Sequence, residues 1–308
     1  PATSKWQWNI NANISYNKNQ IMQLPDGNKT VVEDNRYLMV GQPINSFRLS
    51  QYNGIYLNED MIPFDPYTGL KYKNESGQYV QVGWADYEDV DKDNQYVSWK
   101  DKKPIGDPNP KWVGGLNTNL SYGPWSLFVQ TSFTLGRDIL NTQFAKTMAP
   151  LSAQYGADEE GVGFSGGPGA NYANPADGHW YYAEDFVARR MMVDLSRYSF
   201  WQKDGDNTNY PSRSQYMNNN NFIERSSLFL ENGSYLKLNT IMLSYNLDKL
   251  KKWGINNARL SLTAENVAII KSKNTLAADP SNVSPDGYYT GNGYGLPRKF
   301  TIGLMFDF

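Results

Sequence analysis

Trp6-Gln7-Trp8-Asn9-Ile10-Asn11-Ala12-Asn13-Ile14-Ser15-Tyr16 alternates between apolar and polar residues without an exception. Successive side chains of a β-strand point to opposite faces, so this period of two makes a strand with one dry face and one wet face. Asn has a poor strand propensity, and Asn9, Asn11 and Asn13 all stand on the wet side. A wet face of that kind suits a water-filled or plugged interior that asks for hydrogen-bonding groups.

The same pattern closes the chain. In residues 300–308, Phe300, Ile302, Leu304, Phe306 and Phe308 are apolar, while Thr301, Gly303 and Asp307 lie between them and Met305 is the exception. At ~3.3 Å per residue such a strand is roughly 30 Å long, and a tilt of ~45° lowers its height to ~20–25 Å. That height matches the apolar band of an outer-membrane barrel, and a strand ending on an aromatic residue suits barrel closure. An edge strand of a soluble sandwich fits these nine residues as well.

Composition narrows the choice. The chain has 308 residues, a net charge of −2 and no Cys. A nucleic-acid partner would call for a basic stripe, which this charge does not provide. Disulfides and Cys-ligated metals are excluded. Mean hydropathy is −0.64, and no stretch approaches the ~18 apolar residues of a spanning helix. Alternating strands average to just such a value, so low hydropathy does not argue against a barrel. The 22 Tyr and 9 Trp suit membrane–water girdles, and equally sugar- or protein-binding surfaces. No signal peptide opens the chain and strand-like sequence follows Pro1 closely, so an upstream part is expected.

Between the two terminal strands the chain alternates brief turns with long excursions. Pro25-Asp26-Gly27-Asn28 marks a turn, and residues 36–56 carry two short β-like runs. Residues 57–110 are polar and irregular, a length normally functional or disordered. Leu116, Leu120 and Tyr122 then alternate with Asn117, Asn119 and Ser121, and Gly123-Pro124 turns the chain into a second strand from Trp125 to Leu135. Residues 138–226 form the next excursion, with a short helix expected over 184–195. Tyr235-Leu236-Lys237-Leu238 changes phase into Ile241, Leu243 and Tyr245, which places a bulge near Asn239-Thr240. Leu260, Leu262 and Ala264 mark one more strand, and residues 271–297 a last loop. The count is about eight to ten strands, with no fixed-period repeat.

Chemistry-bearing motifs are few. Gly163-Phe164-Ser165-Gly166-Gly167 matches a nucleophile elbow, but lies in a Gly-rich loop, and His179 is the only imidazole that could serve it. Loop turns explain the match better, so no catalytic residue is assigned and the chain is read as a non-enzyme. Asp89-Val90-Asp91-Lys92-Asp93-Asn94 begins like a calcium loop, with Asn94 where Gly is wanted, Lys100 at the position of the closing acid and Asp101 one residue late. Asp89, Asp91, Asp93 and Asp101 are therefore the candidate Ca²⁺ or Mg²⁺ ligands, against a plain solvated turn. Among the loop aromatics, Trp84, Trp99, Trp180 and Tyr181 are candidates either for loop packing or for substrate contact.

Taken together, these segments resemble the C-terminal third of a SusC/RagA-type TonB-dependent transporter of the Bacteroidetes outer membrane. The likeness is carried by Val40-Gly41-Gln42-Pro43-Ile44 with Tyr52-Asn53-Gly54-Ile55, by the acidic loop with Ile105-Gly106-Asp107-Pro108-Asn109-Pro110-Lys111-Trp112, and by Glu231-Asn232-Gly233-Ser234-Tyr235-Leu236-Lys237-Leu238. Glu265-Asn266-Val267 and the closing Leu296-Pro297-Arg298-Lys299-Phe300 with the strand it opens complete it. The middle excursion matches poorly.

The resemblance implies an all-β fold: a transmembrane antiparallel up-and-down β-barrel of 22 strands with long extracellular loops over about 57–110, 138–226 and 271–297. It implies a plug domain and N-terminal strands outside this chain, and TonB-ExbB-ExbD acting through that outside part. It further implies a SusD-like surface lipoprotein as lid, the lipid bilayer as surroundings, and energised import of oligosaccharides or oligopeptides. Phe308 corresponds to the aromatic read by the barrel-assembly machinery, and a dimer of transporter–lid pairs is a further expectation. The rival reading is a secreted all-β carbohydrate-binding or adhesin module, whose apolar strand faces a second sheet would cover.

Overall fold

The structure, a computed structural model, describes residues 5–33, 36–75, 77–97, 99–148, 171–173, 180–182, 210–211, 223–247, 255, 257–291 and 296–307. The chain divides into two compact units, one of residues 1–20, 106–139 and 231–308, the other of residues 21–105 and 140–230. Among the described residues no helix is long and apolar enough to cross a membrane, which says nothing of strands.

The first unit is built on six long strands: β1 (Trp6–Tyr16), β2 (Trp112–Tyr122), β3 (Trp125–Leu135), β4 (Tyr235–Asn246), β5 (Asn257–Lys271) and β6 (Lys299–Asp307). They form one sheet in chain order, every pairing antiparallel. The connections alternate in length. Gly123-Pro124 joins β2 to β3 and residues 247–256 join β4 to β5, whereas the connections leaving β1, β3 and β5 are all long.

The register sorts side chains into rungs that run straight across the sheet. One rung reads Trp8, Leu120, Leu127, Leu243, Leu262, Ile302; its neighbour on the other face reads Gln7, Ser121, Ser126, Ser244, Ser261, Gly303. Period-two alternation within each strand thus becomes one apolar and one polar face, because paired residues point the same way. A second polar rung, Asn11, Asn117, Gln130, Thr240, Glu265, Lys299, ends in an ion pair of 3.4 Å between Glu265 and Lys299.

Two irregularities keep the faces sorted. Register shifts between Leu238 and Thr240, so that Leu236 and Leu238 share a face with Ile241 and Leu243 across the bulged Asn239. Asn266 takes φ 54° opposite it, the left-handed region that Asn tolerates better than most residues. At the end carrying the long connections, residues 272–291 are strapped down. Lys237 Nζ reaches Asp279 at 3.3 Å and Ser281 Oγ at 2.9 Å, and Glu231 accepts the amides of Leu276 and Ala277 at 3.0 Å each. Arg137 donates to the Gly233 and Pro280 carbonyls, and Ile139, Ala277 and Tyr289 form a small apolar core with Val283.

The second unit carries a four-stranded antiparallel sheet of Val31–Glu33, Arg36–Leu38, Phe47–Leu49 and Lys103–Ile105, and a two-stranded one of Tyr52–Ile55 with Ala85–Tyr87. The β-like runs expected over residues 36–56 pair into small sheets with Phe47 and Leu49 inward, whereas residues 57–105, expected to be irregular, are a folded segment around Tyr56, Ile62, Val80 and Trp84. Pro25–Asn28 is the expected turn: Asp26, Gly27 and Asn28 have φ of 53°, 73° and 63°. The helix expected over 184–195 lies outside the described residues.

Candidate functional site

The feature of the first unit that asks for a function is its apolar face. Trp8 is 69% exposed, Ile302 76% and Phe300 78%, with Ile10, Ile14, Leu262 and Ile270 also bare. Water-facing monomers rarely leave a contiguous apolar patch this broad. Aromatic pairs bracket it: Trp6 on Tyr122 at 4.4 Å and Trp125 near Tyr245 at 4.7 Å at the short-turn end, Tyr16 on Trp112 at 4.6 Å at the other. Tyr and Trp favour boundaries where one side of the ring is apolar and the other wet. The covering second sheet that a secreted sandwich requires is not present among the described residues.

In the second unit the acidic loop brings three of its four candidate ligands together. Carboxylate oxygens of Asp89, Asp91 and Asp101 lie within 4.8 Å of one another. Asp101, one residue late by spacing, is 0% exposed; it accepts the amides of Val90 at 2.8 Å and Val97 at 2.6 Å, which folds the loop back on itself. Asp89 accepts from the Lys92 and Asn94 amides at 2.6 and 2.9 Å, with Lys92 and Asn94 at φ 60° and 67°. Asp93 turns away, paired with Lys100 at 3.0 Å. Oxygen-only donors at this spacing suit a hard cation, and the lone pairs not used by amides are the ones available to it. Burial pushes the Asp89 carboxyl above its ordinary range, and the charges of Asp101 and Asp93 add to that.

The four aromatic candidates separate. Trp84 is 6% exposed in the core with Tyr56, Ile62 and Val80, so its work is packing. Trp99 is 62% exposed, with the Lys100 ammonium 5.5 Å from its ring centre. Of Trp180 and Tyr181 only the backbone is described, in strand Trp180–Tyr182 against Asn171–Ala173. His179, the segment 163–167 and Phe308 lie outside the described residues.

Sequence reasoning missed two groups of the second unit. One is a knot of tyrosines: Tyr56 donates to Asp86 at 2.8 Å, Tyr96 to Ser50 Oγ at 2.7 Å, and Tyr87 stacks on Tyr96 at 5.1 Å. Burial pushes the Tyr87 hydroxyl up to about 12, and raises Tyr56 further with help from Asp86. The other is a set of cations. Burial holds the Lys102 ammonium below its usual value, and the charges of Arg48 and Arg225 push the same way. Neither group has a sequence signature, since their members come from separate segments with no fixed spacing.

The described residues are almost all strand and loop, with little helix. The chain is similar over 99% of its length to TonB-dependent receptor P26 of Formosa agariphila, at 25% identity. TonB-dependent receptor P3 of the same organism matches over 98% of the chain, also at 25% identity. In fold it superposes on a chain of the RagAB peptide importer in its 'open-open' state with a TM-score of 0.61 at 19% identity, over 99% of this chain and 27% of that one. The 'closed-closed' state gives 0.60 at 18% identity. The chain spans 28% and 27% of the two curated relatives' own lengths. No family model matches the chain.

Proposed function

We propose that this chain is a wall-and-loop segment of a TonB-dependent importer in the bacterial outer membrane. The observation that carries the reading is the six-stranded sheet with one bare apolar face, one polar face and aromatic pairs at both ends. Its apolar rungs meet acyl chains, and its polar rungs line the interior. The long connections then lie on the external side, where a nutrient arrives. Support for the TonB-dependent class comes from the two curated relatives, each matched along nearly the whole of this chain.

On this reading the nutrient is an oligosaccharide or an oligopeptide, and the RagAB likeness favours peptides. A SusD-like lipoprotein would close over the long connections to trap the ligand, and TonB would act through a plug outside this chain to open the path. The chain's own contribution is positional: a rigid wall, a strapped loop over residues 272–291 and a folded loop unit. A divalent cation held by Asp89, Asp91 and Asp101 would brace that unit.

The test uses the full-length protein in its own host. Membrane fractionation should place it in the outer membrane, and its deletion should abolish growth on at least one oligosaccharide or peptide as sole nutrient. Recovery in the soluble fraction, or unchanged growth on every nutrient tried, overturns the reading.

A further inference from the structure

We propose that residues 272–291 form a fixed constriction: the loop folds onto the polar face of the six-stranded sheet, where it narrows the external mouth and limits the cross-section of the cargo. The proposal deepens the importer reading. It rests on that reading for the statement that the polar face lines the path.

The register fixes which way the loop turns. Tyr235 and Lys237 of β4 share a face with Thr134, Ser132, Gln130 and Ser126 of β3, and Lys271 of β5 stands opposite Tyr235. That face is the polar one, because Ser126 and Ser244 belong to the polar rung. Two of its lysines hold the loop. Lys237 Nζ meets Asp279 at 3.3 Å and Ser281 Oγ at 2.9 Å, and Lys271 Nζ donates to the carbonyls of Ala277 and, at 3.4 Å, Ala278. The neighbouring side chains that point the other way stay bare, Ile270 at 66% exposure and Leu236 at 43%. The loop therefore leans over the polar side and leaves the apolar side free.

Ties at the rim keep it there. Thr275 Oγ1 donates to the Asn232 carbonyl at 2.7 Å, and Glu231 accepts the amides of Leu276 and Ala277. Arg137, its guanidinium 5.6 Å from the centre of the Tyr235 ring, donates to the Pro280 carbonyl. Thr275, Ala277 and Tyr289 are buried, and so is Lys237. A buried ion pair contributes little beyond what an apolar pair of the same volume would. Here Lys237–Asp279 fixes where the loop sits.

Ordering a connection costs backbone entropy at every residue. Gly123-Pro124 turns the chain between β2 and β3 with two residues, so joining two strands does not by itself call for a loop of this length. Long loops held on a rigid scaffold are commonly the parts that meet a ligand. The wall anchors occupy two successive rungs, Tyr235 with Lys271 and then Lys237, and Gln130 stands on the rung beyond the bulge. Anything moving along the polar face towards Gln130 meets the loop first.

The experiment measures access by size. The chain has no Cys, so an introduced thiol reports one position in a full-length protein freed of any other. A small sulfonated maleimide and maleimides on polyethylene glycol of rising mass are added to intact cells of the host. Gln130→Cys should react with the small reagent and progressively less with larger ones. Combining it with Lys237→Ala and Glu231→Ala, which cut the loop's ties to Asp279, Ser281, Leu276 and Ala277, should speed the large reagents about tenfold and hardly change the small one. Lys273→Cys, exposed on the loop itself, should take every reagent.

A second measurement does not need the loop released. Lys237→Cys with Asp279→Cys should be joined by a bismaleimide about as long as the lysine it replaces, and the joined protein should still exclude the large reagents. An unchanged ratio of large to small reagent rates on release, a Gln130→Cys that no reagent reaches in either form, a shielded Lys273→Cys, or no cross-link overturns the proposal. Ile10→Cys on the apolar face tests the importer reading separately: the small reagent should not reach it through a bilayer. Its ready labelling would sink that reading, while the cross-link would still report the position of the loop.

Discussion

Trp8 donates its indole N–H to the hydroxyl of Thr118, 2.6 Å away on the neighbouring strand. Both residues belong to the apolar face, where Thr118 is the polar member of the rung Ile10, Thr118, Val129, Ile241, Ala264, Phe300. In water either group could hydrogen-bond to solvent; in hydrocarbon each has only the other. Thr118→Val therefore reports on the surroundings of the face. In a bilayer it should destabilise the full-length protein by about 1–2 kcal/mol, measured by denaturant unfolding in lipid vesicles. A loss near zero would mean that water reaches Trp8.

Charge placed on the two faces should act unequally. Ile10 occupies the third rung from the aromatic pair Trp6–Tyr122, closer to mid-height than Trp8. Ile10→Arg should cost ~2–4 kcal/mol and Trp8→Arg less, while Asn9→Asp on the polar face should be nearly silent. Unfolding of the three variants side by side checks the order, and equal costs for Ile10→Arg and Asn9→Asp would contradict a bilayer around β1.

Gly114 is a packing requirement on β2. A Cβ there would fall 2.3 Å from the Asn13 carbonyl oxygen and 2.6 Å from the Phe133 ring, because Phe133 covers the glycine from the adjacent strand. Gly114→Ala should lose about 1–3 kcal/mol through overpacking. Gly123→Ala meets no atom within 4 Å, but takes a left-handed φ of 55° and so tests strain rather than space. A fully tolerated Gly114→Ala would show that the Asn13 carbonyl and the Phe133 ring do not close on this glycine.

Much of the wall is legible from alternation, and its gaps have physical causes. β1 can be read to the residue because all eleven positions carry a side chain of definite polarity. The phase change around Asn239 shows as a bulge because apolar residues flank it on both sides. β2 starts at Trp112 rather than Leu116, since Gly114 and Gly115 carry no polarity signal. β5 runs on to Lys271 because left-handed Asn266 breaks the alternation without ending the pairing. The loop unit is hardly legible: Tyr56, Ile62, Val80 and Trp84 form a core with no period, and Asp101 reaches the acidic loop by a fold-back that spacing alone places one residue off.

Divalent cations should stabilise the second unit. Ca²⁺ at about 10⁻⁴–10⁻³ M, the range of external modules, should raise the melting temperature of the full-length protein, and Asp89→Asn should remove the rise. Asp93→Asn should preserve it, because Asp93 is engaged with Lys100. An identical melting curve with Ca²⁺ and with chelator would exclude the cation.

Asp138 gives a pH prediction. Its carboxylate accepts the Asp107 amide at 2.9 Å, and burial raises it above the usual carboxylate range, with the Asp107 charge adding to the rise. A carboxyl raised in the folded state contributes stability below its unfolded value, and that contribution is lost as pH rises through the folded value. Asp138→Asn, which keeps an acceptor for the amide, should match or exceed wild-type stability at neutral pH. Its advantage should vanish in acid, near and below the ordinary value of 3.8. Melting curves across that window decide it; a constant difference at every pH would locate the effect elsewhere.

Strands β1 and β6 each pair on one side only among the described residues, so each presents an unmatched ladder of amides and carbonyls. Such ladders, on long strands bordered by bare isoleucine and phenylalanine, are templates for further strand addition. Expressed alone, this polypeptide should therefore polymerise edge to edge and accumulate as insoluble β-rich aggregate.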